Sequence, residues 1–105
     1  MDSPETNEKK IRSLLSIAAK AGKTAGGTQM TIDKVRKGRA AVVLMGTDAS
    51  DRTKKVIRDK CAYYEVCVYE FGTKEELGKC TGQKDKSAIT ITDENIGNEI
   101  IKYLT

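Results

Sequence analysis

Apolar positions along the chain alternate between two rhythms. In NEKKIRSLLSIAAKAG, residues 7–22, the apolar residues Ile11, Leu14, Leu15 and Ala18 fall at helical spacing. Asn7 is the expected N-cap, Glu8 suits the first turn, and Gly22 suits a left-handed C′ position. Thr24 and Ala25 leave room for a very short strand before Gly26 and Gly27. A second helix is expected from about residue 28 to 37, closed by Gly38. AAVVLM, residues 40–45, is apolar for six residues, as in a strand covered on both faces. A third helix over 51–65 has Asp48 or Ser50 as its cap. VCVYEF (66–71) reads as a strand, and Thr73 with Glu76 forms a capping-box pair that opens a fourth helix. SAITIT (87–92) is the last strand, and DENIGNEIIKYL (93–104) is a closing helix capped by Thr92.

The predicted order is α-β-α-β-α-β-α-β-α. Strands alternating with helices argue for an α/β fold with one central sheet and helices on both faces. MDSPET, residues 1–6, carries no core pattern and is expected to be disordered, leaving residues 7–105 as a single domain. No linker, repeat or low-complexity tract interrupts that domain.

The turn between the first two helices attracts attention because glycines and cations crowd around a helix start. At about 100° per residue, Thr28, Ile32 and Val35 share one face of the second helix. Met30, Lys34 and Lys37 lie opposite, with Asp33 at the edge, so Met30 is expected to face away from the sheet. A helix start offers free backbone N–H groups and partial positive charge. Gly26 and Gly27 allow another backbone or a base edge to come close. With Lys23 before them and Lys34 and Lys37 after, these residues suit a sharply bent polyanion. They suit a tight strand-to-helix turn equally well, and the residues alone do not separate the two.

Charge favours the first half of the chain as the binding half. Residues 1–60 hold 14 Lys/Arg against 7 Asp/Glu, whereas residues 61–105 hold 5 against 8. An anionic partner docking on the basic half is the simplest functional reading; a solvated surface is the bland one.

Several chemistries are excluded. There is no His, which removes Ser-His and Cys-His catalysis and most zinc sites. Cys61, Cys67 and Cys80 are odd in number and form no C-x-x-C pair, so all three read as small buried hydrophobes in a reducing, cytoplasmic setting. No signal peptide is evident, and no apolar run approaches the ~18 residues of a membrane span. AGKT resembles the end of a P-loop, but the required upstream Gly falls on Ile17, inside a helix. No cofactor or metal is implied, and the chain is not expected to be an enzyme.

The order of segments resembles the kink-turn RNA-binding ribosomal protein superfamily of L-seven-Ae/L-thirty-e type, in its bacterial YlxQ-like branch. The resemblance rests on LLSIAAKAGKTAGGTQMTIDKVRKGRAAVVLMGTDAS, TKKVIRDKCAYYEVCVYEFGTKEELGKCTG and SAITITD, which follow in order within residues 11–93. It implies a three-layer α/β/α sandwich around a four-stranded mixed sheet. It also implies binding to kink-turns, in which sheared G·A pairs bend an RNA helix, with ribosomal RNA as one source. The family signature at the second helix falls on Gly27, Thr28, Gln29, Met30 and Asp33. Met30 stands where an acidic or amide residue is usual, and Asp33 where Lys is usual. A second family contact, a loop cradling a flipped-out nucleotide, falls on Phe71, Gly72, Thr73 and Lys74. Phe71 has two readings: a ring that stacks on a base, or a strand end that packs inward.

The resemblance therefore predicts a non-enzymatic, ribosome-associated RNA-binding protein, monomeric because it is one compact domain. The alternative is a protein-interaction module on the same fold, in which Met30 belongs to an apolar contact and Asp33 is no longer anomalous.

Overall fold

The structure is a computed structural model that describes residues 4–105, with side chains from residue 6 onward. Its elements run α1 (Pro4–Lys20), β1 (Thr24–Gly26), α2 (Thr28–Arg36), β2 (Val42–Met45), α3 (Asp51–Tyr63), β3 (Val68–Glu70), α4 (Lys74–Cys80), β4 (Ala88–Ile91) and α5 (Glu94–Leu104). The order is the predicted one, with tighter strand limits.

The four strands form one mixed sheet in the order β1-β4-β2-β3. β2 and β3 are parallel, while β4 runs antiparallel to both β2 and β1. All four residues of β2 and all four of β4 are buried, because helices cover both sides of these central strands. Ile11, Leu15, Val42, Leu44, Leu77, Ile89, Ile91 and Ile100 pack on the α1–α4–α5 side. Val35, Val43, Met45, Ile57, Cys61 and Ala88 pack on the α2–α3 side. The chain is thus the expected α/β/α sandwich. Alternation along β2 sends Val42 and Leu44 to one side and Val43 and Met45 to the other.

The helix starts depart from the sequence reading at α1 and α5, while α3 takes one of its two expected caps. α1 begins at Pro4, so residues 4–6 are helical rather than disordered; residues 1–3 lie outside the described residues. Proline suits a first helical turn, with φ already fixed and no N–H to satisfy. Asn7 is consequently inside α1 and caps nothing. Ser50, not Asp48, caps α3, accepting from the Thr53 N–H. Asp93, not Thr92, caps α5, accepting from the Ile96 N–H, while the Thr92 N–H donates to the Lys23 carbonyl. The Thr73–Glu76 capping box opens α4 as expected.

The cysteines also differ from expectation. Cys61 is buried, and burial followed by the proximity of Cys67 pushes its thiol up to about 11. Cys80 is half-buried, and burial raises its pKa too. Cys67 is exposed, because it lies just before β3, the edge strand of the sheet.

Candidate nucleic-acid interface

The topology brings three helix starts to one end of the sheet. β1, β2 and β3 end there, and α2, α3 and α4 begin there. The antiparallel β4 starts at the same end, with Ala88 beside Met45. Hydrogen bonds join these loops: Gly27 N–H to Ala88 C=O at 2.9 Å, Gly46 N–H to Ser87 C=O at 2.9 Å, and Thr47 N–H to Gly72 C=O at 2.7 Å. The Lys74 N–H donates to Asp48 Oδ1 at 2.8 Å, and the Lys74 carbonyl accepts from the Lys86 N–H at 3.1 Å.

The three starts are not equivalent. Ser50 closes α3, and the Thr73–Glu76 box closes α4. α2 has Gly27 at its N-cap, no side-chain cap bond and no acidic residue in its first turn. Its leading N–H groups have no carbonyl one turn back to bond, and so present partial positive charge outward. Gly27 is at φ 97°, ψ 163°, a conformation open to glycine and strained for other residues. A Cβ at Gly26 would lie 3.0 Å from the Gln83 amide oxygen, so that side chain would have to give way slightly.

α2 is held against the sheet by Ile32, Val35 and a buried hydrogen bond from Thr90 Oγ1 to Thr31 Oγ1 at 2.9 Å. Thr28 Oγ1 and Ser87 Oγ share a 2.8 Å hydrogen bond at the helix start. This clamp directs Met30 to solvent, 48% exposed, as the helical wheel predicts. Gln29 is exposed, and its Nε2 donates to Asp33 Oδ1 at 3.2 Å.

The residues predicted for the site divide into groups. Gly26, Gly27, Thr28, Gln29, Met30 and Asp33 share the α2 start, and Gly72, Thr73 and Lys74 lie at the same end of the sheet. Phe71 does as well, but its ring is only 7% exposed and packs in the α1–α4–α5 core. The inward reading holds, and the ring offers no face to a stacked base. Lys34 lies in the last turn of α2. Lys23 and Lys37 belong to the opposite end: Lys23 precedes β1, about 10 Å from Gly26 at ~3.3 Å per residue. Lys37 follows α2, about 13 Å from Thr28 at ~1.5 Å per residue.

Other groups take their place. Lys84 and Lys86 in the loop before β4, with Lys74, have no ion pair among the described residues, although Asp85 lies between the first two. Lys54 is unavailable, since it donates to the Thr47 carbonyl at 2.7 Å and to Glu70 at 2.8 Å. Glu70 also accepts from Arg58, and these two hydrogen bonds hold its carboxyl below the ordinary carboxylate range. Ser87, Lys84 and Lys86 were missed because their proximity to α2 and α4 depends on β4 being antiparallel. That is a long-range pairing no local pattern contains.

The Ribosomal protein L7Ae/L30e/S12e/Gadd45 family matches residues 9–101, and the chain belongs to this family. It is 34% identical over 91 residues to the RNA-binding protein YlxQ of Bacillus subtilis (strain 168), covering 87% of this chain and 91% of that one. It is 37% identical over 82 residues to the RNA-binding protein YlxQ of Enterococcus faecium, covering 78% and 80%. A solved protein of unknown function from Bacillus halodurans C superposes with a TM-score of 0.87 at 28% identity, covering 90% of this chain and 96% of that one. The Giardia lamblia 15.5kD RNA binding protein shares the fold, with a TM-score of 0.77 at 19% identity over 93% and 84%.

Proposed function

We propose that the chain is a non-enzymatic RNA-binding protein that recognises a kink-turn or a similarly bent RNA through the start of α2 and the loops beside it. The observation that carries this reading is the uncapped α2 start behind Gly26 and Gly27, in a chain whose YlxQ relatives are named RNA-binding proteins. N–H groups there suit phosphate oxygens, and the absent side chains let a backbone approach. Lys74, Lys84 and Lys86 supply positive charge around the opening. A bent RNA offers both a curved phosphate track and splayed base edges, which a regular duplex hides. The protein acts as a cytoplasmic monomer on ribosomal or other structured RNA.

Met30 and Asp33 favour a second reading, an interaction module for another protein, because one is an exposed thioether and the other a carboxylate facing expected phosphates. Salt separates the two. Titrations of a kink-turn, and of the same RNA with its G·A pairs replaced by Watson–Crick pairs, are compared at two salt concentrations. Preference for the intact kink-turn with steep salt weakening, about 0.9 in log–log slope per phosphate on a duplex, supports the first reading. Absence of binding to either RNA transfers support to the second.

A further inference from the structure

The cations left over from the candidate site form a second surface at the far end of the sheet. α2 and α3 both start at the candidate-site end and pack side by side through Val35, Ile57 and Cys61. They therefore run parallel, and both finish where β2 and β3 begin. Packed helices lie about 10 Å apart, so their C-terminal ends are neighbours. Arg36, Lys37 and Arg39 are exposed at the end of α2, and Lys60 is half-exposed in the last turn of α3. None of the four forms an ion pair among the described residues. Tyr63 and Tyr64 close α3 at this same end; Tyr63 is 80% exposed and Tyr64 40%, their rings packed edge to face with centroids 4.9 Å apart.

Two bland explanations fall short. Cations at helix C-termini complement the helix dipole, but that needs one or two residues, and Arg39 lies beyond the helix. A lone exposed Tyr is ordinary, but an exposed adjacent pair at the same end of the sheet as four cations without an ion pair is not. Tyr63 is about 200° around the helix from buried Cys61, so packing does not require an aromatic ring there. Glu65, Asp93 and Glu94 are the carboxylates that follow at this end, and they leave the Arg36–Arg39 segment net positive.

We infer that the C-terminal ends of α2 and α3 form a second RNA contact, taking a single-stranded extension of the bound RNA. Tyr63 provides a ring for a base to stack on, and Arg36, Lys37 and Arg39 hold the phosphates that follow. Rings interleaved with cations are what single strands need, because every base has a flat face and every link a charge. This assignment extends the RNA-binding reading above.

The test compares a kink-turn with minimal blunt arms, the same RNA carrying a ten-nucleotide pyrimidine extension, and the extension alone. Each is titrated with wild type, Tyr63→Ala, Tyr63→Phe and the double variant Arg36→Ala/Arg39→Ala. The extension should raise wild-type affinity by about tenfold, in line with stacking by one or two bases. Tyr63→Ala and the double variant should lose that gain and keep wild-type affinity for the minimal RNA, while Tyr63→Phe keeps the gain. An extension without effect on wild type, or a Tyr63→Ala loss equal on both RNAs, overturns the second contact and leaves the first reading standing. Failure of the minimal kink-turn to bind, with Tyr63-dependent binding of the extension alone, sinks the kink-turn reading and keeps this surface. A Tyr63-dependent change of sedimentation with protein concentration, and no effect on any RNA, overturns it in favour of a protein contact.

Discussion

Gln29 Nε2 donates to Asp33 Oδ1 across 3.2 Å, one turn along α2. An ionised carboxylate only accepts hydrogen bonds, so the amide nitrogen must face it. On the proposed RNA-binding reading, the Gln29 carbonyl oxygen is the group left to accept from an N–H on a base edge. Asp33, anomalous as a phosphate contact, thus orients the residue beside it.

Replacing Asp33 with Lys removes that orientation and adds a cation near the helix start. Asp33→Lys should bind RNA more tightly at low salt, with a log–log salt slope steeper by about 0.9. It should also discriminate less between intact and G·A-disrupted kink-turns. An unchanged slope would remove Asp33 from the RNA surface.

Phe71→Ala should act on stability and not on RNA selectivity. The ring is buried in the α1–α4–α5 core, and truncating such a ring costs about 3–5 kcal/mol. Urea denaturation should show that loss. A variant with wild-type stability and selectively weakened kink-turn binding would contradict the inward packing.

Two glycines should respond differently to alanine. At Gly78 a Cβ would sit 2.1 Å from the Lys84 carbonyl oxygen, so α4 and the loop before β4 must separate. Gly22 has open space, and its φ of 70° costs an L-residue only about 1–2 kcal/mol. Gly78→Ala should lose more stability than Gly22→Ala in urea, and should also weaken RNA binding, because the displaced loop carries Lys84, Lys86 and Ser87. Equal losses would mean that this loop is not held by α4.

Thiol chemistry reports on the layers. Cys67 should react first with a thiol reagent, Cys80 slowly, and Cys61 only on unfolding. The raised pKa of Cys61 means that the fold favours the neutral thiol. That stabilisation is complete below the ordinary thiol value of 9.0. It is lost as pH rises through about 11. Cys61→Ala should flatten the alkaline fall in stability over this window; an identical fall in both proteins would contradict the burial of the thiol.

Local pattern carried most of the fold. Six apolar residues marked β2, glycines marked the ends of α1 and α2, and a Thr-x-x-Glu pair marked α4. Pro4 misled, because a residue that breaks helix interiors is welcome in a first turn. Thr92 misled because Asp93, next to it, caps equally well, and backbone pairing with Lys23 took Thr92 away. For the site, the α2 start was legible as glycines before an amphipathic run. Lys23 and Lys37 were grouped with it by closeness in sequence, yet a strand and a helix carry them to the other end. Lys84, Lys86 and Ser87 arrive at the site only through the antiparallel pairing of β4.

The most direct measurement follows backbone amide resonances while a minimal kink-turn RNA is added. Shifts concentrated on Gly26 to Met30, Gly72 to Lys74 and Lys84 to Ser87 are the predicted result. Shifts confined to Arg36–Arg39 and Tyr63–Tyr64, with the α2 start unmoved, would contradict the assignment of that helix start as the kink-turn surface.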